Sequence, residues 1–111
     1  MPMALLKGTL DVLVLKALAW GPMHGFEISS WLEERSGGRI EVTDAALLQA
    51  LHRLEQRGLL TADWGVTGNN RRARYYQHTA TGSATLREQS AALVDDAEAL
   101  TAILTARTST T

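Results

Sequence analysis

Residues 43–78, TDAALLQALHRLEQRGLLTADWGVTGNNRRARYYQH, are the stretch on which the reading of this chain turns. The first part predicts a helix. Thr43 or Asp44 can cap it, because a short side-chain oxygen accepts from a backbone N–H of the first turn, and Gly58 can stop it. At about 100° per residue, Leu47, Leu51 and Leu54 share one face, while Ala45, Gln49, His52, Arg53 and Gln56 share the opposite one. That outward face is polar and free of acids, with Glu55 off to the side. Residues 59–64 and 74–78 then read as two strands. Between them, Gly68, Asn69 and Asn70 tolerate positive φ and mark a hairpin tip. A basic hairpin after a polar-faced helix has the form of the wing of a winged helix-turn-helix.

On the N-terminal side, residues 39–42 alternate polar and apolar and predict a short strand. Gly37 and Gly38 end a helix over residues 24–35, on which Ile28, Trp31, Leu32 and Arg35 form a stripe at helical spacing. Gly21-Pro22 separates it from a first helix that Thr9 can cap, with Asp11 in its first turn. Leu10, Val12, Leu13, Val14, Leu15, Ala17, Leu18 and Trp20 leave that helix almost no polar face, which implies burial on several sides. A chain of 111 residues can hardly supply that cover alone, and a second subunit can. The β-branched run also suits a buried strand, but a length of about eleven residues favours the helix.

Toward the C-terminus, Thr79 can cap a long helix over residues 80–106. Leu86, Leu93 and Leu100 recur every seven residues, as position d of a heptad does, which puts Ser83, Ser90, Ala97 and Leu104 at a. A helix of about 27 residues is about 40 Å long, so its far half needs a partner. Residues 107–111 read as a frayed tail.

Composition bounds the function. Cysteine is absent, which excludes disulfides, thiolate metal sites and cysteine nucleophiles. The apolar run from Leu10 to Trp20 holds Asp11 and Lys16, lacks a small-residue cleavage site after it and is too short to span a bilayer, so a cytoplasmic protein without a membrane partner is expected. The net charge is only −1, yet residues 39–78 carry six basic and four acidic side chains. Three of those arginines, Arg71, Arg72 and Arg74, lie within four residues, a weak local footprint for a polyanion.

With the elements placed, the sequence resembles the short form of the PadR family of bacterial transcription regulators. The resemblance runs through Leu6-Lys7-Gly8-Thr9-Leu10, then Gly21-Pro22-Met23-His24-Gly25-Phe26-Glu27-Ile28, its most specific stretch. It continues through Ala50-Leu51-His52-Arg53-Leu54-Glu55-Gln56-Arg57-Gly58-Leu59-Leu60, Arg71-Arg72-Ala73-Arg74-Tyr75-Tyr76 and Thr79-x-x-Gly82. It implies a mainly α fold with a small β-hairpin wing (α+β). The DNA-binding winged helix-turn-helix would span residues 1–78, and a dimerisation helix and tail residues 79–111, as one structural unit. It also implies a homodimeric repressor that a small, often aromatic, effector releases from its operator. One departure stands out. Where such proteins carry Gly-Ser-Leu-Tyr-Pro, this chain has Ala45-Ala46-Leu47-Leu48-Gln49, without the Ser and Tyr hydroxyls. A different operator, weaker contacts and lost DNA binding all stay open.

In this fold the third helix enters the major groove and the wing meets the backbone. Gln49 then suits adenine, Arg53 guanine or phosphate, and Ala45 a thymine methyl. Thr43 and His52 complete the helical surface. Arg71, Arg72 and Arg74 suit phosphates, because guanidinium combines charge with a planar fork. Of Tyr75 and Tyr76, which point to opposite faces, one is expected in the core and Tyr76 at a phosphate. Leu10, Leu13, Leu86, Leu93, Ala97, Leu100 and Leu104 are the expected dimer contacts. His24 reads as a capping or packing residue. His24, His52 and His78 sit in separate elements without a ligand pattern, so no metal or cofactor is expected. Trp20, Trp31 and Trp64 suit packing, or an aromatic effector pocket near the dimer interface. Nucleophile–base pairs, phosphate loops and metal clusters are all missing from the pattern, which argues against an enzyme. The alternative to DNA binding is a dimeric protein-interaction module, with Leu48 at the edge of the core face docking the partner.

Overall fold

The computed structural model describes residues 8–107. Leu6 and Lys7 of the N-terminal motif, and the expected frayed tail beyond Arg107, lie outside the described residues. The order is α1 (Thr9–Ala17), a 3-10 turn (Leu18–Trp20), α2 (Gly25–Arg35), α3 (Asp44–Gln56), β1 (Leu60–Val66), β2 (Arg72–His78) and α4 (Ala80–Leu104). This is the expected mainly helical fold with a two-stranded wing.

The helix ends follow local chemistry, with one correction. Gly8, at φ 87°, takes the position before α1 and makes no side-chain cap; Thr9 is already helical. His24 caps α2 through a reciprocal pair. Its Nδ1 accepts from the Glu27 N–H at 3.3 Å, and Glu27 accepts from the His24 N–H at 3.2 Å. Of the two candidates for α3, Thr43 is the cap, its Oγ1 accepting from the Ala46 N–H at 3.1 Å.

The expected strand over residues 39–42 is absent. That segment is irregular, with Ile40 and Val42 half-buried and Arg39 and Glu41 exposed. Alternation predicts an extended chain, but a strand also needs a free edge to pair with. The edge of β2 away from β1 is met by Met23, whose N–H and C=O both bond Tyr76, at 3.2 and 2.9 Å.

The core gathers Val14 and Leu15 of α1, Ile28 and Leu32 of α2, Leu47, Ala50, Leu51 and Leu54 of α3, and Leu59 and Leu60. The first half of α4 seals it. A Cβ on Gly82 would run into the Leu59 carbonyl, so the two backbones meet directly. Thr79 caps α4 through the Gly82 N–H (3.0 Å) and donates its hydroxyl to the Gly58 carbonyl (2.7 Å). His78 bridges α1 to α4. Its Nε2–H donates to the Leu15 carbonyl (2.6 Å), one of the last four of α1, and its Nδ1 faces the Ser83 hydroxyl (3.3 Å).

The seven-residue leucine stripe is divided. Leu86, expected at a dimer interface, is buried in its own chain, because the start of α4 lies on the core. Leu93 is half-buried against that core, as are Leu10 and Leu13. Ala97, Leu100 and Leu104 are exposed, on the half of α4 that extends the molecule to 65 Å.

Candidate nucleic-acid interface

Because Leu47, Ala50, Leu51 and Leu54 anchor one face of α3, the opposite face must look outward. Ala45, Gln49, His52, Arg53 and Gln56 are all exposed, and none is acidic. Thr43 is exposed as well, with its hydroxyl engaged as the cap. The two acids elsewhere on the helix are Asp44, exposed in its first turn, and Glu55, on the flank toward the wing.

The wing stands beside that flank. Its register pairs Val66 with Arg72, Trp64 with Arg74 and Ala62 with Tyr76, so Arg72, Arg74 and Tyr76 share one face of the hairpin. The tip is tied by the Thr67 N–H to the Arg71 carbonyl (2.8 Å), with Asn70 at φ 61°. The three arginines have different surroundings. Arg71 is exposed at the tip. Arg72 is exposed and lies over the Trp64 ring, 4.9 Å from its centroid. Arg74, expected at a phosphate, instead grips Glu55 of α3 with two hydrogen bonds (3.1 and 3.4 Å) and lies over Tyr76. Its charge is already matched, and it joins wing to helix.

The two tyrosines lie on opposite faces as alternation requires, but the inner one is Tyr76. Tyr76, expected at a phosphate, is only 4% exposed, because its face of the hairpin continues the core from Leu60. Tyr75 lies on the other face, over Gly65, where a Cβ would come within 2.7 Å of its ring. Its hydroxyl donates to the Val66 carbonyl (3.4 Å), and its edge meets His24.

The main feature not foreseen from the sequence links α1 to α3. Arg53 donates from Nη2 to Asp11 Oδ1 (2.7 Å) and from Nε to Oδ2 (3.3 Å). This hydrogen bonding, set against slight desolvation, raises the pKa of Arg53 above its ordinary value, so it carries its charge at any working pH. Asp11 was the available signal: a carboxylate on a helix with almost no polar face needs a partner wherever it is buried.

A second unforeseen feature is a cleft of about 810 Å³ between α3, the start of α2 and β2. Leu47, Leu48 and Leu51 form one wall and Arg71 to Arg74 the other, with His24 and Phe26 at the end. Phe26 is 77% exposed and Leu48 50% exposed. Trp20 is exposed too, in the 3-10 turn, while Trp31 is half-buried beneath Arg35.

Residues 14–88 match the profile of the transcriptional regulator PadR-like family. The fold is similar to that of a PadR family transcriptional regulator of Eggerthella lenta, at 29% identity over 91% of this chain and 86% of that one, with a TM-score of 0.73. It is also similar to a PadR-like transcriptional regulator of Bacillus cereus, at 19% identity over 91% and 96% of the two chains, with a TM-score of 0.76. The Bacillus subtilis PadR in complex with operator DNA superposes with a TM-score of 0.64 at 22% identity, over 72% of this chain and 45% of that longer one.

Proposed function

Because this chain belongs to the PadR-like family of transcriptional regulators, we propose that it binds a double-stranded operator sequence-specifically, as a cytoplasmic homodimeric repressor released by a small effector. The observation that carries the reading is the acid-free outward face of α3, with Gln49 and His52 at its centre, beside a wing whose Arg71 and Arg72 form no ion pair among the described residues. The helix face offers donors and acceptors to base edges, and the wing offers charge to phosphates. Residues 1–78 form the reading unit in this proposal. The exposed end of α4 supplies the dimer contact through Ala97, Leu100 and Leu104, and pairing presents two helices to half-sites about one DNA turn apart.

The test is mobility shift on promoter DNA across a salt series. Each phosphate neutralised contributes about 0.9 to the slope of log affinity against log salt. Arg72→Ala weakens binding to every sequence, and Gln49→Ala changes the preferred sequence. If neither alters DNA affinity, the assignment fails.

One observation favours a second reading. Phe26 and Leu48 expose apolar surface in the cleft, beside arginines, which suits a protein partner. A purified dimer that ignores duplex DNA at low salt would favour this interaction module over the repressor.

A further inference from the structure

Asp11 is the one buried charged side chain among the described residues. It sits in α1, yet its partner is 42 residues away on the reading helix. Arg53 stands one turn beyond Gln49 on α3, and its side chain is half exposed. The carboxylate takes one edge of the guanidinium, from Nε to Nη2. A guanidinium has five N–H donors in a fixed plane. The end of the fork, with both hydrogens of Nη1 and the outer one of Nη2, is therefore left over, held in a single orientation by two bonds.

Charge decides what that fork suits. Arg71 and Arg72 keep their positive charge unmatched among the described residues, whereas Arg53 is neutralised at 2.7 Å. A neutral pair has little long-range pull on a phosphate, and its carboxylate repels one. The directional donors remain, and they match neutral acceptors spaced like the O6 and N7 atoms of guanine. We infer that Asp11 is a positioning residue that presets Arg53 to read a guanine edge in the major groove rather than a backbone phosphate. This inference rests on the DNA-binding reading and adds a division of labour to it: the wing supplies salt-dependent affinity, and the Asp11–Arg53 pair supplies base preference.

The experiment selects bound duplexes from a randomised pool with the full chain, then measures affinity for the selected site across a salt series. Wild type is compared with Asp11→Asn, Arg53→Lys and Arg72→Ala. The wild-type chain selects guanine at one position per half-site, and replacing it with 7-deazaguanine, which lacks N7, weakens binding by on the order of tenfold. Asp11→Asn relaxes that position and steepens the salt slope by about 0.9, because the freed charge turns to a phosphate. A purely structural ion pair would lower the melting temperature and leave both readouts unchanged. Arg53→Lys keeps the charge without the planar fork, and it loses the preference while keeping at least the wild-type slope. It carries the test if Asp11→Asn does not fold. The inference alone is overturned if Arg72→Ala lowers the slope while the guanine preference persists in Asp11→Asn and Arg53→Lys. If the wild-type chain shows no salt-dependent binding to any duplex, the DNA-binding reading falls and takes the inference with it.

Discussion

The two halves of α4 have the same kind of sequence and opposite surroundings. Over residues 80–93 the helix touches the body of the molecule at Gly82, Ser83 and Leu86, with Leu93 still half-covered. Over residues 94–104 every side chain is exposed, Val94, Leu100, Ile103 and Leu104 among them. An isolated helix of about eleven residues is marginal in water. The second half therefore borrows its stability from the first, and from whatever covers its apolar side chains. A regular leucine repeat therefore need not mean one uniform interface: here the first leucine, Leu86, belongs to the core.

Four substitutions probe that contrast, in descending order of expected effect. Gly82→Ala pushes a methyl group into the Leu59 carbonyl. It should cost about 3 kcal/mol, at the upper end of the overpacking range, in a denaturant melt. A loss under about 1 kcal/mol would show that α4 is not held backbone to backbone. Leu86→Ala should cost about 2 kcal/mol, the low end for a buried leucine, since the site lies at the rim of the core. His78→Ala removes a donor from the Leu15 carbonyl and should cost about 1 kcal/mol. Leu100→Glu should change stability by no more than about 0.5 kcal/mol when melted as a monomer, yet abolish self-association in sedimentation. A Leu100→Glu chain that still pairs would break the contrast, for the exposed half would then have no part in assembly.

The sequence was most legible where local rules act alone. The periodicity of residues 44–56 placed the core face of α3, and the glycines and asparagines after Val66 marked the hairpin tip. The ordered motifs pointed to the family that residues 14–88 match. It was least legible where a residue's role depends on a distant partner. Alternation showed that Tyr75 and Tyr76 face opposite ways, but only the pairing of Ala62 with Tyr76 decides which one is inside. Residues 39–42 alternate like a strand and are none: the sheet holds only β1 and β2, and alternation within a segment does not say whether another strand will pair with it. Arg53 and Arg74 read as loose charges until Asp11 and Glu55 are seen to hold them. Such pairings join residues 42 and 19 positions apart, and no window along the chain contains the information.

The abutment of Gly82 on Leu59 fixes the direction in which a stiff rod leaves the body. Two chains joined through the tips of such rods would carry a gauge, the rod length translating into the separation of their reading surfaces. One residue inserted between Leu86 and Leu100 would turn the tip by about 100° and lengthen the rod by about 1.5 Å. The operator spacing that the pair tolerates would then be written in the length of α4 and not in any side chain that touches a base.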